Sequence, residues 1–121
     1  MGFQAALESV VATLRAGMGE DVDVVDDLRT PEQLSRDRVW VLVTRMLPED
    51  VACPWARTEL LVESVSRLTA AAGAESVRGT NELGDAVVAV LESAGIRWTT
   101  AEVFVLDDSY RSVRLTVEVR E

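Results

Sequence analysis

Apolar residues recur at two different spacings along the chain, and these spacings predict its helices and strands. Between residues 3 and 16 they return every three or four positions, which predicts a short amphipathic helix with one buried stripe. A second stripe of this kind covers residues 83–94, and Gly95 is placed to end that helix. The start of the second helix stays open between a cap at residues 80–81 and a beginning near residue 74.

The rest of the apolar pattern predicts five strands. The run RVWVLVTRML is apolar on both faces over most of its length, so we expect this strand to have little solvent exposure. In the last segment Val and Leu alternate with Arg, Thr and Glu, so one face is expected to be buried and the other wet. The predicted strands cover residues 22–26, 38–47, 57–68, 96–108 and 109–121.

Polar and proline-containing stretches separate these strands. Residues 26–37 and 48–56 are predicted to be loops, the second forming the long tip of an antiparallel hairpin, and DDSY is predicted to be a tight turn. The element order is therefore α-β-β-β-α-β-β. We expect a single α+β domain over residues 1–121: a two-layer sandwich in which two helices pack on a mostly antiparallel sheet of four to five strands.

Composition narrows the classes of function. The formal net charge is −9, from 12 basic and 21 acidic residues, which argues against a free-standing DNA-binding protein, because such a protein needs cations to neutralise phosphate. The chain has no histidine, the commonest general base at neutral pH, and its single cysteine excludes an internal disulfide. The N-terminal segment carries Glu8 and Arg15, so we expect neither a signal peptide nor a membrane span there.

Two acidic groups, residues 21–27 and Asp107 with Asp108, raise the question of a metal site. Alternation along a strand would point the first group to opposite faces, whereas a calcium or magnesium site needs several oxygens converging on one point. We therefore interpret both groups as solvated strand ends and turn residues. Cys53 has no neighbouring base, and no glycine-rich phosphate loop is present. We expect no catalytic residue, no cofactor and no metal.

The three tryptophans differ in their predicted roles. Trp40 lies in the most apolar strand and is predicted to belong to the core, and Trp98 opens a strand where it could pack over a helix end. Trp55 lies in the predicted loop 48–56 among other apolar residues. A tryptophan can bury roughly 150–250 Å², so an exposed one favours a contact with another subunit. The alternative is that this loop folds back on its own domain.

Four stretches of the sequence, taken in order, resemble one known family. They are VDVVDDLRTPEQL, the hairpin VWVLVTRMLP with ARTELLVESVS, and the ending LESAGIRWTTAEVFVLDDSYRSVRLTVEV. With the N-terminal helix they resemble tail terminator proteins, the tail-completion ring family of long-tailed bacteriophages (siphophages and myophages). The resemblance spans nearly the whole chain and rests on element order and on phrases such as GIRWTTAE, without a catalytic signature.

The resemblance implies a structural, non-enzymatic protein of the virion that is assembled in the host cytoplasm. Six copies are expected to form a ring at the head-proximal end of the tail tube, which ends tube polymerisation and offers the head-joining surface. The partners implied are other copies of the chain, the major tail tube protein and the head connector or neck protein. DNA would pass through the channel without specific binding. Ring size, and whether the free protein is a monomer, stay open.

The resemblance transfers no individual site residue, so the candidate interface is a hypothesis from the residues themselves. It comprises the hairpin tip and the polar segment before the second strand. The residues we nominate are Leu28, Arg29, Leu34, Leu47, Val51 and Trp55.

Three other functions compete with this one. The first is another head–tail connector protein, such as a stopper or head-completion protein, which would bind a different neighbour. The second is a small ligand-binding α+β domain with an apolar pocket between sheet and helices. The third is a divalent-metal hydrolase built on the aspartates.

Overall fold

A computed structural model describes residues 2–26, 34–50, 53–106 and 110–120, with side chains throughout except at 47–50, 53–56, 70, 106 and 120. Two helices and five strands follow each other in the predicted order, which confirms the α+β class. The elements are α1 (Phe3–Met18), β1 (Val22–Val25), β2 (Asp37–Asp50), β3 (Cys53–Thr69), a 3₁₀ turn (Ala70–Ala72), α2 (Ala74–Ser93), β4 (Arg97–Leu106) and β5 (Tyr110–Arg120).

The five strands form one mixed sheet in the order β1-β2-β3-β5-β4. The short strand β1 pairs with β2 in parallel, with Val22 beside Asp37 and Val25 beside Trp40. The other three pairings are antiparallel. The prediction of a mostly antiparallel sheet is therefore confirmed. Because β1 and β2 are parallel, the chain must return along the length of β1 before β2 begins.

Both helices bury their apolar stripes on the same face of this sheet. The stripe of α1 and that of α2 meet the alternating side chains of β2, β3 and β5 in one core cluster. Its fully buried members are Val10, Leu14, Val39, Val41, Leu60, Val62, Val87, Leu91, Leu115 and Val117. Burial of each such side chain contributes about 1.5–3 kcal/mol, so this layer provides most of the apolar stabilisation of the fold.

The two helices touch closely at one point. A Cβ atom placed on Gly17 of α1 would lie 2.5 and 2.7 Å from the two γ-methyl groups of Val90 in α2. Only a residue without a side chain allows the backbone of α1 to approach Val90 in this way. Gly17 therefore sets the spacing between the helices over the sheet.

The end of α2 follows the signals in its sequence. Gly95 has a φ of 73°, and the amides of Gly95 and Ile96 donate to the carbonyls of Glu92 and Leu91 over 3.0 and 2.9 Å. This is the hydrogen-bonded turn by which glycine commonly ends a helix. Trp98 packs over the same helix end, as predicted, and its Nε1 donates to Glu92 Oε1 over 3.1 Å.

The opposite face of the sheet, here called the open face, is covered by neither helix. Leu34, Trp40, Val65 and Tyr110 form a small second cluster at one end of it. The Leu34 amide donates to the Tyr110 hydroxyl over 3.2 Å in a buried position. This cluster fixes the residues just before β2 against the sheet, and it confirms that Trp40 is a core residue.

Two expectations about strand exposure were wrong. We expected β2 to have little solvent exposure on either face. On the open face of the sheet, however, β2 is covered only as far as Trp40, and Leu42 is 38% exposed. We also expected the polar face of β5 to be exposed to solvent, but Glu118 on that face is only 9% exposed. Because β5 lies between β3 and β4, neighbouring long side chains cover its polar residues.

The prediction of a loop at residues 48–56 was also wrong. The β2–β3 pairing continues through Pro48 with Ala56 and Asp50 with Cys53, so most of the segment belongs to the two strands. A shift of register between Pro48 and Asp50 accommodates the proline, which lacks an amide hydrogen for the ladder. The start of α2, left open by the sequence, is Ala74.

We predict that Gly17→Ala destabilises the chain by about 1–3 kcal/mol, because the added methyl group overlaps Val90. In a Val90→Ala background the same change should instead stabilise by up to about 1 kcal/mol, since alanine is the better helix former. Urea unfolding of the four proteins measures both values. Equal effects of Gly17→Ala in the two backgrounds would contradict the close contact.

Tyr110→Phe is expected to cost about 1–3 kcal/mol, because it leaves the buried Leu34 amide without its acceptor. Hydrogen exchange at Leu34 should accelerate more than exchange in α2. A uniform change across the chain would mean that the hydroxyl does not hold the residues before β2.

Candidate interaction surfaces

The β2–β3 hairpin extends past the end of the neighbouring strand. The last β3–β5 pair joins Arg57 to Arg120, whereas β2 and β3 go on pairing as far as Asp50 and Cys53. Residues 48–50 and 53–56 thus form a two-stranded projection, here called the hairpin arm. At about 3.3 Å per residue the arm reaches roughly 13 Å beyond the body of the sheet.

The nominated interface residues fall into three groups. Leu28, Arg29 and Val51 lie outside the described residues. Leu47 and Trp55 lie in β2 and β3, at positions whose side chains are not described. Leu34 is 8% exposed and packs in the cluster with Trp40, Val65 and Tyr110, so it has little surface left to offer a partner.

Besides the outer side of β1, which pairs only with β2, two sheet edges are free in the described part of the chain. One is the outer side of β4, which pairs only with β5. The other is the outer side of β2 from residue 41 onward, because β1 pairs with β2 only as far as Trp40. Free edges present unpaired backbone amides and carbonyls, which can accept another strand. Sequence reasoning missed both edges, since nothing in the alternation of β2 or β4 distinguishes an edge strand from a central one.

Exposed apolar side chains lie along these edges. On the helix-covered face, β4 carries Val103 and Val105, which are 61% and 49% exposed because α2 packs mainly over β3 and β5. On the open face, β2 carries Leu42. Large apolar side chains with this much exposure on adjacent positions of an edge are typical of protein contacts.

The centre of the open face is polar and internally paired. Arg114 pairs with Glu63, whose carboxylate also accepts from Ser112, and Arg57 pairs with Glu118 over 3.4 Å. The Arg114 guanidinium also lies 4.1 Å from the centroid of the Phe104 ring, a cation–π geometry. These pairs offset charges that would otherwise be costly to bury, although Glu118 Oε2 and Arg57 Nε are buried without a hydrogen-bond partner among the described residues.

The acidic residues in the described chain serve as surface and pairing groups. Asp21 and Asp26 are exposed, and Asp23 lies 3.9 Å from Arg36 and 3.8 Å from Arg38, within ion-pair range. Within residues 2–26, 34–50, 53–106 and 110–120, no three acidic, cysteine or histidine side chains lie together as metal ligands would. Asp27, Asp107 and Asp108 lie outside these residues.

One concavity on the helical layer is a groove between α1 and α2. Its walls are small side chains, including Thr13, Ala16, Ala89 and Ser93, and it contains no charged side chain. Such a groove offers few polar groups to orient a small ligand. Neither described helix is long and apolar enough to cross a membrane.

Comparison with protein-family models and with curated proteins finds no match to this chain. The surfaces described above and the resemblance in sequence are therefore the basis on which a function is proposed.

We predict that Arg114→Met destabilises the fold by about 2–3 kcal/mol, because it leaves the buried Glu63 carboxylate without its cation. The cost lies below that of a fully buried pair because Arg114 is partly solvated. The double change Glu63→Gln with Arg114→Met should cost less than Arg114→Met alone. Thermal unfolding measures this, and additive losses would contradict a direct interaction between the two side chains.

Proposed function

We propose that this chain is a structural subunit of a bacteriophage virion. Copies form a ring, a hexamer by the resemblance, that caps the head-proximal end of the tail tube, ends tube polymerisation and presents the surface to which the head connector binds. The order of helices and strands agrees with the fold that the resemblance implies. DNA then passes through the ring without specific binding.

The hairpin arm is the observation that carries the proposal. In the described part of the chain it has no third strand beside it, and an isolated two-stranded ribbon is at best marginally stable in water. Its sequence includes Cys53 and Trp55. A two-stranded ribbon that carries apolar residues gains stability when it packs against a neighbouring subunit or against the tube.

Charge supports a channel for DNA. The formal net charge of −9 repels a polyanion, so a ring of such subunits would not retain DNA by non-specific attraction. Contacts between copies that are head to tail, and that close by rotation, would produce a ring from a single kind of subunit.

Binding to purified neighbours tests the proposal. We expect the protein to bind the end of tubes assembled from the major tail protein and to stop their growth, which electron microscopy of tube lengths measures. A stopper or head-completion protein would instead bind connector rings and leave tube length unchanged. That second result, or binding to neither, would overturn the terminator assignment.

Trp55→Ala is predicted to weaken assembly and tube capping about tenfold or more, in the range of an interface anchor, while leaving the monomer folded. Phe3→Ala is the matched control, because Phe3 is also a large exposed apolar residue but lies at the start of α1. Circular dichroism checks the fold and tube-length distributions check capping. Normal capping by Trp55→Ala would exclude the arm as a contact surface.

A further inference from the structure

We infer that copies of this chain join edge to edge, with the free edge of β2 in one copy paired with β4 of the next. The inference rests on the proposed function in so far as it requires self-association, and it specifies the contact. The partner is therefore a second copy of this chain, and the joint is a continuous sheet across the subunit boundary.

The directions of the two strands suit such a joint. Two antiparallel pairings separate β2 from β5, and a third separates β5 from β4, so β2 and β4 run in opposite directions within the sheet. Placing β4 of one copy beside β2 of another, with the helical layers on the same side, creates an antiparallel pair. Because the two edges differ, the contact is head to tail and repeats around a ring.

The two edges also match in length. Strand β4 has 10 residues, and the free stretch of β2, residues 41–50, has the same number. The two edges therefore offer ladders of similar length to each other.

One register aligns like side chains on both faces. Setting Val43 opposite Val103 brings Val41 opposite Val105 on the helix-covered face. It also sets Leu42 opposite Phe104 on the open face. Val103, Val105 and Leu42 are all exposed in the single chain, so this pairing covers the apolar groups that the fold leaves uncovered.

The same register aligns opposite charges. The bulge between Val43 and Arg45 skips one residue, so the next pair on the open face is Arg45 with Glu102. Arg45 is 60% exposed beside its own Glu59, which leaves guanidinium donors for a second carboxylate. Charged residues and a bulge at an edge discourage indiscriminate pairing, and here the complementary charge lies on the other edge of the same chain.

Disulfide trapping tests the register directly. In a Cys53→Ser background, one protein carries Val43→Cys and a second carries Val103→Cys. Directly opposed residues in an antiparallel pair lie about 4.5–5.5 Å apart at Cα, within the range of a disulfide. We expect the mixture to form a one-to-one crosslinked dimer under mild oxidation, and a single chain carrying both changes to form a ladder that ends at a closed ring.

Two control crosslinking experiments show whether the proposed β2–β4 contact and its register are wrong. Ala101→Cys replaces Val103→Cys at the neighbouring position on the same face, about 7–8 Å from the target, and should trap at least tenfold less. Crosslinking of Val103→Cys with itself would mean a symmetric β4–β4 contact and would overturn the inference. Equal trapping at residues 101 and 103, or no trapping in the mixture, would overturn it as well.

A charge reversal provides an independent measure. Arg45→Glu should weaken self-association about fivefold, the scale of one cross-strand ion pair, and adding Glu102→Arg to the same chain should restore it. Thermal unfolding of each monomer separates this effect from loss of the internal pair with Glu59. If the second change gives no recovery, the two residues do not face each other.

The inference and the proposed function fail in different ways. Wild-type protein that caps tubes while the cysteine pairs remain unlinked would keep the function and reject the sheet joint. Crosslinked rings that form in the predicted register, together with wild-type protein that binds no tail tube, would keep the joint and reject the function.

Discussion

The burial of two helical stripes on one face of a single sheet is the constraint on which the rest of the structure depends. Val10 and Leu14 of α1, with Val87 and Leu91 of α2, use the same surface of β2, β3 and β5. The close contact of Gly17 with Val90 lets both helices fit there. Because this layer holds most of the buried apolar residues, the other face and the strand edges carry most of the remaining polar and exposed groups.

The open face carries mainly paired charged residues, and the edges carry exposed apolar residues. Along its centre, the open face offsets its charges in pairs such as Arg114 with Glu63. Along the edges, exposed Val103 and Leu42 flank backbone groups that no described strand pairs with. Exposed apolar groups and unpaired backbone groups thus lie at the edges, where the proposed contacts between copies would form.

The candidate site was less predictable than the fold, and the individual residues explain why. Leu34 is apolar in a polar segment, which from sequence suggests a contact residue, yet Trp40 and Tyr110 bury it within the chain. Val103 and Val105 alternate with polar residues as core residues do, yet they are exposed because α2 packs mainly over β3 and β5. Burial depends on which element lies above a strand, and alternation carries no information about that.

The sequence by itself determined the local structure: periods of about 3.6 and 2 fixed which segments are helices and strands, and Gly95 fixed the end of α2. It also determined the element order and that both helices need a sheet face. Only the tertiary structure decided that β4 and most of β2 are edges, that β1 pairs in parallel, and that the hairpin continues through residues 48–56. Periodicity is a property of neighbouring residues, whereas strand order and pairing length depend on contacts between residues far apart in the chain.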